Sequence, residues 1–240
     1  MPQNNLFMVK IIREKKNTSG SLGLNFFGLG DDGHEYALKT LSDGALLPAT
    51  EWICYSLCRA VGISTPDFLA VERLDGSVAF GSRMETADQF RSALGVVQFV
   101  KFFSANVFEQ SRIYGADAFL GNVDRHLGNF LFRSRATGLV PLAFDFDQAW
   151  VNFSMPFGAI PWTFGCKSQL ALNFLKSRGY FDTSFAMKAG QALVSLPNNA
   201  LQTALDSCHA SWTAGINWTS TLDVWNQRDL HWQMAQTSLN

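Results

Sequence analysis

Three side chains in the middle of the chain have the types and spacing that phosphate chemistry requires. Asp124 and Asn129 lie five residues apart in GNVDRHLGNFLF, residues 121–132, and Asp145 lies in FDFD after the next predicted strand. An aspartate can orient an attacking hydroxyl group and accept its proton, whereas an asparagine and a second aspartate can hold Mg²⁺ against phosphates. The spacing therefore predicts phosphoryl transfer, with all three as catalytic residues and with Asn129 and Asp145 as the metal ligands.

The two residues after Asp124 admit more than one role. Arg125 could contact a carboxylate or a phosphate, or it could form a structural salt bridge with Asp117 or Asp145. His126 has no second histidine nearby, which favours an orienting or packing role over catalysis or metal binding. By itself this tripeptide could be a surface turn, but the flanking strands and the later Asp145 favour a catalytic loop.

A lysine and a glutamate upstream have the spacing of a nucleotide-binding pair. Lys39 lies in the predicted strand YALKT, and Glu51 lies on the helix that follows. A lone strand lysine is usually an edge charge, but protein kinases use a strand lysine paired with a helix glutamate to position the ATP phosphates. We therefore predict ATP as the cofactor, with Lys39 catalytic and cofactor-binding and Glu51 cofactor-binding.

The Gly-rich segment NTSGSLG, residues 17–23, is predicted to cover the phosphates. Gly20 and Gly23 would let backbone N–H groups approach a phosphate, and Ser21 lies between them. Gly20, Ser21 and Gly23 are therefore predicted cofactor-binding residues.

A second glycine pattern lies between this segment and Lys39. Gly28, Gly30 and Gly33 match GxGxxG. No helix follows the pattern, which excludes a Rossmann dinucleotide site. A kinase Gly-rich loop is also excluded, because a strand must separate that loop from the lysine and the pattern lies too close to Lys39. We predict that these glycines shape a hairpin turn.

Secondary-structure patterns place these residues on a small sheet followed by helices. The predicted elements are strands 22–29, 34–41, 68–72 and 77–82, a helix at 48–61, helical segments within 87–120, and a hairpin of strands 129–132 and 139–144. The predicted fold class is α+β with two lobes and a cleft between them. We expect residues 1–85 to form a small β-rich N-lobe and residues 86–240 a larger helical C-lobe.

The composition excludes several other classes of protein. The 240 residues carry a net charge of −1, with 47% hydrophobic and 16% charged residues, which excludes intrinsic disorder. The chain has no basic excess, so we expect no direct nucleic-acid partner. The uncharged run 148–166 contains Pro156 and Pro161, so we expect no membrane partner. At the N-terminus an apolar patch precedes basic residues, the reverse of a signal peptide, which predicts a cytoplasmic protein.

The segments YALKT, ATEWICYSLCRAVGI, GNVDRHLGNFLF and AFDFDQAW together resemble the HipA-like kinases, in particular the short HipA-like kinase domains of bacteria. The resemblance covers most of residues 15–150 and is most specific in the DRHxxN loop. It implies a Ser/Thr protein kinase with an atypical two-lobed protein-kinase-like fold. It also implies that Lys39 contacts ATP, that Asp124 is the catalytic aspartate, and that Asn129 and Asp145 bind Mg²⁺.

The resemblance further implies partners and a regulatory site. Several HipA-like kinases belong to toxin–antitoxin systems and phosphorylate translation factors such as aminoacyl-tRNA synthetases, so a protein substrate of that kind and an antitoxin partner are expected. Full-length HipA proteins have an additional N-terminal region, for which we expect no room here. Some members autophosphorylate a serine of the Gly-rich loop. Ser19 and Ser21 are therefore predicted autophosphorylation sites, where a phosphate would repel ATP.

Several alternatives remain open from the sequence. Phosphatidylinositol kinases share a DRHxxN-like loop, so the chain could be a small-molecule or lipid kinase, although residues 148–166 lack the basic residues expected to hold a lipid headgroup. It could also be a non-catalytic nucleotide-binding pseudokinase. Asp147 stands where many kinases have glycine, and it could be a second acidic ligand or a turn cap.

The tail of the chain contains three tryptophans at a regular spacing. Trp218, Trp225 and Trp232 are seven residues apart, which predicts one helical face. That face could pack on the C-lobe, or it could present an aromatic patch to a protein partner.

Overall fold

A computed structural model describes residues 8–17, 25–85, 96–136, 138–153, 162 and 165–240 of the chain. The structure is mixed α/β, and a small strand-rich region precedes the helices. Within these residues we find no helix with the length and apolar character needed to span a membrane.

Five strands of the first part of the chain form a closed sheet. They are β1 (Val9–Lys16), β2 (Phe26–Gly30), β3 (Glu35–Lys39), β4 (Phe68–Glu72) and β5 (Val78–Arg83). Their order is β1-β2-β3-β5-β4, and β1 closes the sheet by pairing parallel with β4, whereas the other neighbours are antiparallel.

Strand β1 is the element of this sheet that sequence patterns do not predict. Its sequence VKIIREKK buries only Ile11 fully, so the alternation of a half-buried strand is absent. The other four strands lie at the predicted positions, except that residues 22–24 of the first predicted strand lie outside the described residues.

The interior of the closed sheet explains two of the glycines in the GxGxxG pattern. A Cβ atom on Gly28 would lie 2.9 Å from Ile11 Cδ1 and 3.0 Å from Leu38 Cδ1, so only glycine fits there without repacking. Gly30 also lies in β2 rather than in a turn. Gly33, with φ of 82°, shapes the turn between β2 and β3 as predicted.

Helix α1 (Leu47–Ala60) is buried on most of its surface. Pro48 lies in its first turn, where the missing N–H has no intrahelical partner to lose. Trp52 donates its indole N–H to Ser207 Oγ at 2.8 Å, and Tyr55 contacts the ring of Phe80 in β5. The helix therefore lies between the closed sheet and the C-terminal helices, and it carries Glu51 into the interior.

Two helices and a hairpin follow the sheet. They are α2 (Val96–Ala105), α3 (Val107–Leu120), β6 (Phe130–Arg135) and β7 (Gly138–Ala143). Helix α3 ends at Gly121, whose φ of 65° suits a glycine C-cap. The loop at 121–129 therefore leaves a buried helix and leads directly into β6.

The C-terminal part of the structure is helical. Its helices are α4 (Lys167–Ser177), α5 (Thr183–Val194), α6 (Ala200–Asp206), α7 (Ala210–Thr213), α8 (Thr219–Asn226) and α9 (Arg228–Ala235), with 3₁₀ turns at Trp150–Phe153 and Gln236–Leu239.

The three regularly spaced tryptophans do not lie on one helix. Trp225 belongs to α8 and Trp232 to α9, because the backbone at Gln227 ends the first helix and begins the second. Both side chains are buried, and the Trp225 indole donates to the Asn198 carbonyl at 2.9 Å. The predicted single face was therefore wrong, and these two tryptophans belong to the core and not to a surface for a partner.

Candidate active site

Lys39, at the end of β3, is the centre of a buried group of charges. Its Nζ atom donates to Asp145 Oδ1 at 2.8 Å and lies 3.6 Å from Glu51 Oε1. Lys39 and Glu51 are both buried, at 6% and 1% exposure. The structure thus brings together three predicted site residues from β3, from α1 and from the segment after β7.

One carboxylate oxygen of Glu51 accepts a hydrogen bond, whereas the other has no partner among the described residues. The Phe146 N–H donates to Glu51 Oε1 at 3.1 Å, whereas Oε2 has no hydrogen-bond partner among the described residues. Burial raises the pKa of Glu51 to about 8, although the charge of Lys39 acts in the opposite direction. Burial therefore favours the protonated form of this carboxyl group.

Asp145 has an unusual backbone conformation. Its φ of 61° is the one positive value among the non-glycine residues that the structure describes. Aspartate tolerates the left-handed region better than most residues, and such conformations persist where the surrounding structure enforces them. The next side chain, Phe146, is fully buried, whereas the Asp145 carboxylate forms an ion pair with Lys39.

The 121–129 loop is held in place by the end of α3. The Asn122 N–H donates to the Asp117 carbonyl, and its side-chain Nδ2 donates to Asp117 Oδ1, both at 2.9 Å. The Asn129 Nδ2 donates to the Asp124 carbonyl at 3.1 Å, which leaves the amide oxygen as the atom that could ligate a metal. Asp124 is a quarter exposed, so its carboxylate is accessible to an incoming group.

Arg125 is structural and does not face the solvent. Its guanidinium group pairs with Asp117 and donates to the Asn129 carbonyl at 2.7 Å and to the Phe144 carbonyl. Of the roles that the sequence left open, the structure selects the salt bridge with Asp117. Arg125 thereby ties the 121–129 loop to the end of β7, immediately before Asp145.

His126 has a local packing role. Its Nδ1 atom accepts a hydrogen bond from the Gly128 N–H at 3.0 Å. The ring therefore helps to shape the loop, which agrees with the orienting role expected from the sequence.

A cavity of about 250 Å³ opens beside these residues. Its lining combines the site residues Lys39, Glu51, Asn129 and Asp145 with mostly apolar side chains. The others are Phe27, Ala37, Tyr55, Phe80, Ser82, Met84, Gly128, Leu131 and Phe144. An apolar cavity with a few convergent charges is the usual form of a site for a small ligand. Most of this lining was missed by sequence reasoning, because it comes from elements that are distant in the chain.

Asp147 contributes a further carboxyl group near the cavity. It is buried at 8% exposure, and burial, followed by the charge of Asp145, raises its pKa to about 6. Among the described residues no three His, Cys, Asp or Glu side chains form a metal-binding group. The oxygen donors that fit Mg²⁺ here are those of Asp145 and Asn129, which share the cavity with Lys39.

The predicted Gly-rich loop cannot be placed in the same way. Ser19, Gly20, Ser21 and Gly23 lie between β1 and β2, outside the described residues. Their roles in phosphate binding and autophosphorylation stay predictions.

A contact that the sequence does not predict involves Asp124. The Lys167 Nζ atom, at the start of α4, lies 2.7 Å from Asp124 Oδ1. No spacing signal could have found it, because the contact depends on how α4 packs on the 121–129 loop.

Comparison with known proteins finds a similar fold among solved structures. No family model and no curated protein matches this sequence. Among solved structures, the chain is similar to CtkA, a proinflammatory kinase of Helicobacter pylori, with a TM-score of 0.56 over 97% of this chain and 98% of that chain. The two sequences are 11% identical, so the likeness concerns the fold. The chain has a fold similar to that of a kinase.

Proposed function

We propose that the chain is an ATP- and Mg²⁺-dependent kinase that phosphorylates Ser or Thr residues of a protein, as the resemblance to HipA-like kinases implies. The observation that carries the proposal is the contact of Lys39 with both Asp145 and Glu51, beside a cavity that Asn129 also lines. A kinase requires a cation for the nucleotide phosphates close to oxygen ligands for Mg²⁺. The four residues come from four separate segments of the chain and converge on one cavity.

The cavity accounts for nucleotide binding in this proposal. Apolar side chains such as Ala37, Leu131 and Phe144 would enclose the base, and Lys39 would contact the phosphates. Gly20, Ser21 and Gly23 would cover the phosphates from the Gly-rich loop. Residues 1–85 would act as the N-lobe and residues 86–240 as the C-lobe, with the nucleotide between them.

Asp124 and Asn129 account for the chemistry. Asp124 would orient the acceptor hydroxyl group and accept its proton, because its carboxylate is accessible and its backbone carbonyl is held by Asn129, which Arg125 holds in turn. Mg²⁺ held by Asn129 and Asp145 would neutralise charge on the phosphates. Most of the catalysis would come from the positioning of these groups.

A protein acceptor is favoured over a lipid. Residues 148–166 follow the predicted metal ligand and contain no basic residue to hold an anionic headgroup. A translation factor as the substrate, an antitoxin as a partner and a cytoplasmic location follow from the family resemblance and form part of the proposal.

Transfer of labelled phosphate tests the function. The purified chain is incubated with γ-labelled ATP, Mg²⁺ and a whole-cell extract, and the labelled product is identified. Asp145→Asn should abolish labelling, whereas Asp223→Asn, on the exposed surface of α8, serves as the charge-matched control. Labelling that persists in Asp145→Asn would contradict the assignment.

The nature of the labelled product separates the alternatives. A labelled protein supports the proposal, and a labelled lipid or metabolite identifies the second kind of kinase. ATP binding by wild type without any transfer would identify a pseudokinase.

Intact-mass measurement after incubation with ATP tests Ser19 and Ser21, and an absence of phosphate on residues 17–23 would refute autophosphorylation there.

A further inference from the structure

An ion pair joins the first residue of α4 to the carboxylate that is predicted to receive the acceptor proton. Lys167 Nζ lies 2.7 Å from Asp124 Oδ1, and the Lys167 side chain is 59% exposed. The ammonium group therefore contacts Asp124 and the solvent at the same time. A ligand that approaches Asp124 from the solvent meets Lys167 as well.

The backbone next to Lys167 is fixed to the 121–129 loop. Ser168 is buried; its Oγ atom donates to the Asn122 carbonyl at 2.7 Å and accepts the Arg125 N–H at 2.8 Å. The Ser168 N–H also donates to the Val123 carbonyl at 3.1 Å. An ordinary surface pair depends on two flexible side chains. Here three hydrogen bonds set the distance between the start of α4 and Asp124.

The carboxyl groups of the site favour the charged form of Lys167. The hydrogen bond with Asp124 is the largest cause that raises the pKa of Lys167, and the charges of Asp147 and Asp145 add to it. Lys39 is the cation that pairs with Asp145. The two lysines thus contact two different carboxylates, Lys39 that of Asp145 and Lys167 that of Asp124.

We propose that Lys167 is a further catalytic residue, the cation that contacts the phosphoryl group while it passes to the acceptor at Asp124. The inference rests on the proposed function. The ammonium group at Asp124 Oδ1 then lies beside the phosphoryl group that is attacked by an acceptor hydroxyl group bound to Asp124. Charge on those oxygens is best stabilised by cations that the fold has already positioned.

The step is a simple displacement at phosphorus. A lone pair of the acceptor oxygen forms the new bond to the γ-phosphorus, and the bond from that phosphorus to the bridging oxygen breaks. The electron pair of the broken bond stays on ADP, and the proton of the acceptor passes to Asp124. Lys167 keeps its proton throughout and supplies only charge.

Kinetics of three variants test the inference. ATP hydrolysis and self-labelling of Lys167→Ala, Lys167→Arg and the control Lys188→Ala, on the exposed surface of α5, are measured with γ-labelled ATP and Mg²⁺ as the only added substrates. We expect kcat of Lys167→Ala to fall about a hundredfold, as for the loss of one preorganised charge-stabilising group. The KM for ATP should stay within about twofold, because the contact forms only during transfer. Lys167→Arg should retain more activity than Lys167→Ala, and Lys188→Ala should match wild type.

The outcomes distinguish this inference from the proposed function. Wild-type kcat in Lys167→Ala, or a change confined to KM, overturns the role of Lys167 and leaves the kinase proposal intact. A wild-type chain that neither hydrolyses ATP nor labels itself nor transfers phosphate to an extract overturns both. Urea unfolding of each variant checks the fold, and an unchanged midpoint is expected because the Lys167 side chain is largely exposed.

Discussion

Arg125 and Asp117 form an ion pair in which neither side chain is exposed to solvent. The guanidinium group donates from Nε to Oδ2 at 2.8 Å and from Nη2 to Oδ1 at 3.0 Å, which is the two-point geometry that arginine favours. A further Nη1 bond reaches the Asn129 carbonyl. The geometry of the loop that carries Asp124 is therefore set from inside the fold.

Removal of Arg125 should destabilise the protein strongly. Arg125→Met leaves the buried charge of Asp117 without its partner, and such losses cost about 3–5 kcal/mol of unfolding free energy. Urea unfolding followed by tryptophan fluorescence measures the change. Lys10→Ala, which breaks the exposed pair with Glu72, is the control and should cost at most about 1 kcal/mol. If Arg125→Met lost no more stability than this control, the buried pair would contribute little to the stability of the fold.

Substitution of Asp124 should separate chemistry from binding. Asp124→Asn keeps the shape of the side chain but cannot accept a proton, so kcat should fall by about 10²–10⁴-fold. Binding of ATP with Mg²⁺, measured by calorimetry, should persist because Lys39, Asn129 and Asp145 are unchanged. Asp223→Asn is again the control, and near-wild-type turnover in Asp124→Asn would exclude the proton-accepting role.

The buried carboxyl group of Glu51 should make stability depend on pH. Its pKa is raised from the ordinary 4.5 to about 8, first by burial, so the folded chain binds this proton more tightly than the unfolded chain. The stability it contributes is fully present below pH 4.5 and is lost as the pH rises through about 8. Glu51→Gln removes this dependence. The stability of the variant relative to wild type should therefore rise as the pH increases from about 5 to about 9.

Urea unfolding across that pH range measures the effect. The slope of the difference between variant and wild type is the relevant quantity, since any constant offset reflects lost contacts with Lys39 and Phe146. Glu72→Gln, at an exposed carboxylate, is the control. A stability difference between Glu51→Gln and wild type that does not vary with pH would contradict the raised pKa of Glu51.

Contact between Trp232 and Gly190 should make that glycine irreplaceable. A Cβ atom at Gly190 would lie 2.0 Å from the Trp232 ring, and the ring is buried. Gly190→Ala should therefore cost about 1–3 kcal/mol of unfolding free energy through overpacking. At Gly44 the nearest atom would be 3.4 Å away, so Gly44→Ala is the control. Equal stability of the two variants in urea would mean that α9 can shift without cost.

Local features of the site could be predicted from the sequence, and distant ones could not. The segment from Asp124 to Asn129 is a short loop between two recognisable elements, so spacing alone predicts that its side chains act together. Lys39 and Glu51 follow from a strand and a helix with clear boundaries. Lys167 meets Asp124 only because Ser168 fixes α4 to the loop, and no periodicity in the sequence reports such a contact.

The same distinction holds for the fold. Four strands of the closed sheet have the apolar pattern of half-buried strands, but β1 has one fully buried side chain and was missed. The tryptophan spacing was misleading because a helix break at Gln227 interrupts it. The period of a pattern predicts a shared face only while the helix continues.

Closure of the five-stranded sheet through the pairing of β1 with β4 gives each of its strands two paired neighbours. Unpaired strands are templates for intermolecular association, and a closed sheet removes them. Loss of residues 8–16 would uncover β2 and β4 together. The basic, largely exposed strand β1 therefore covers the edges that β2 and β4 would otherwise present to another chain.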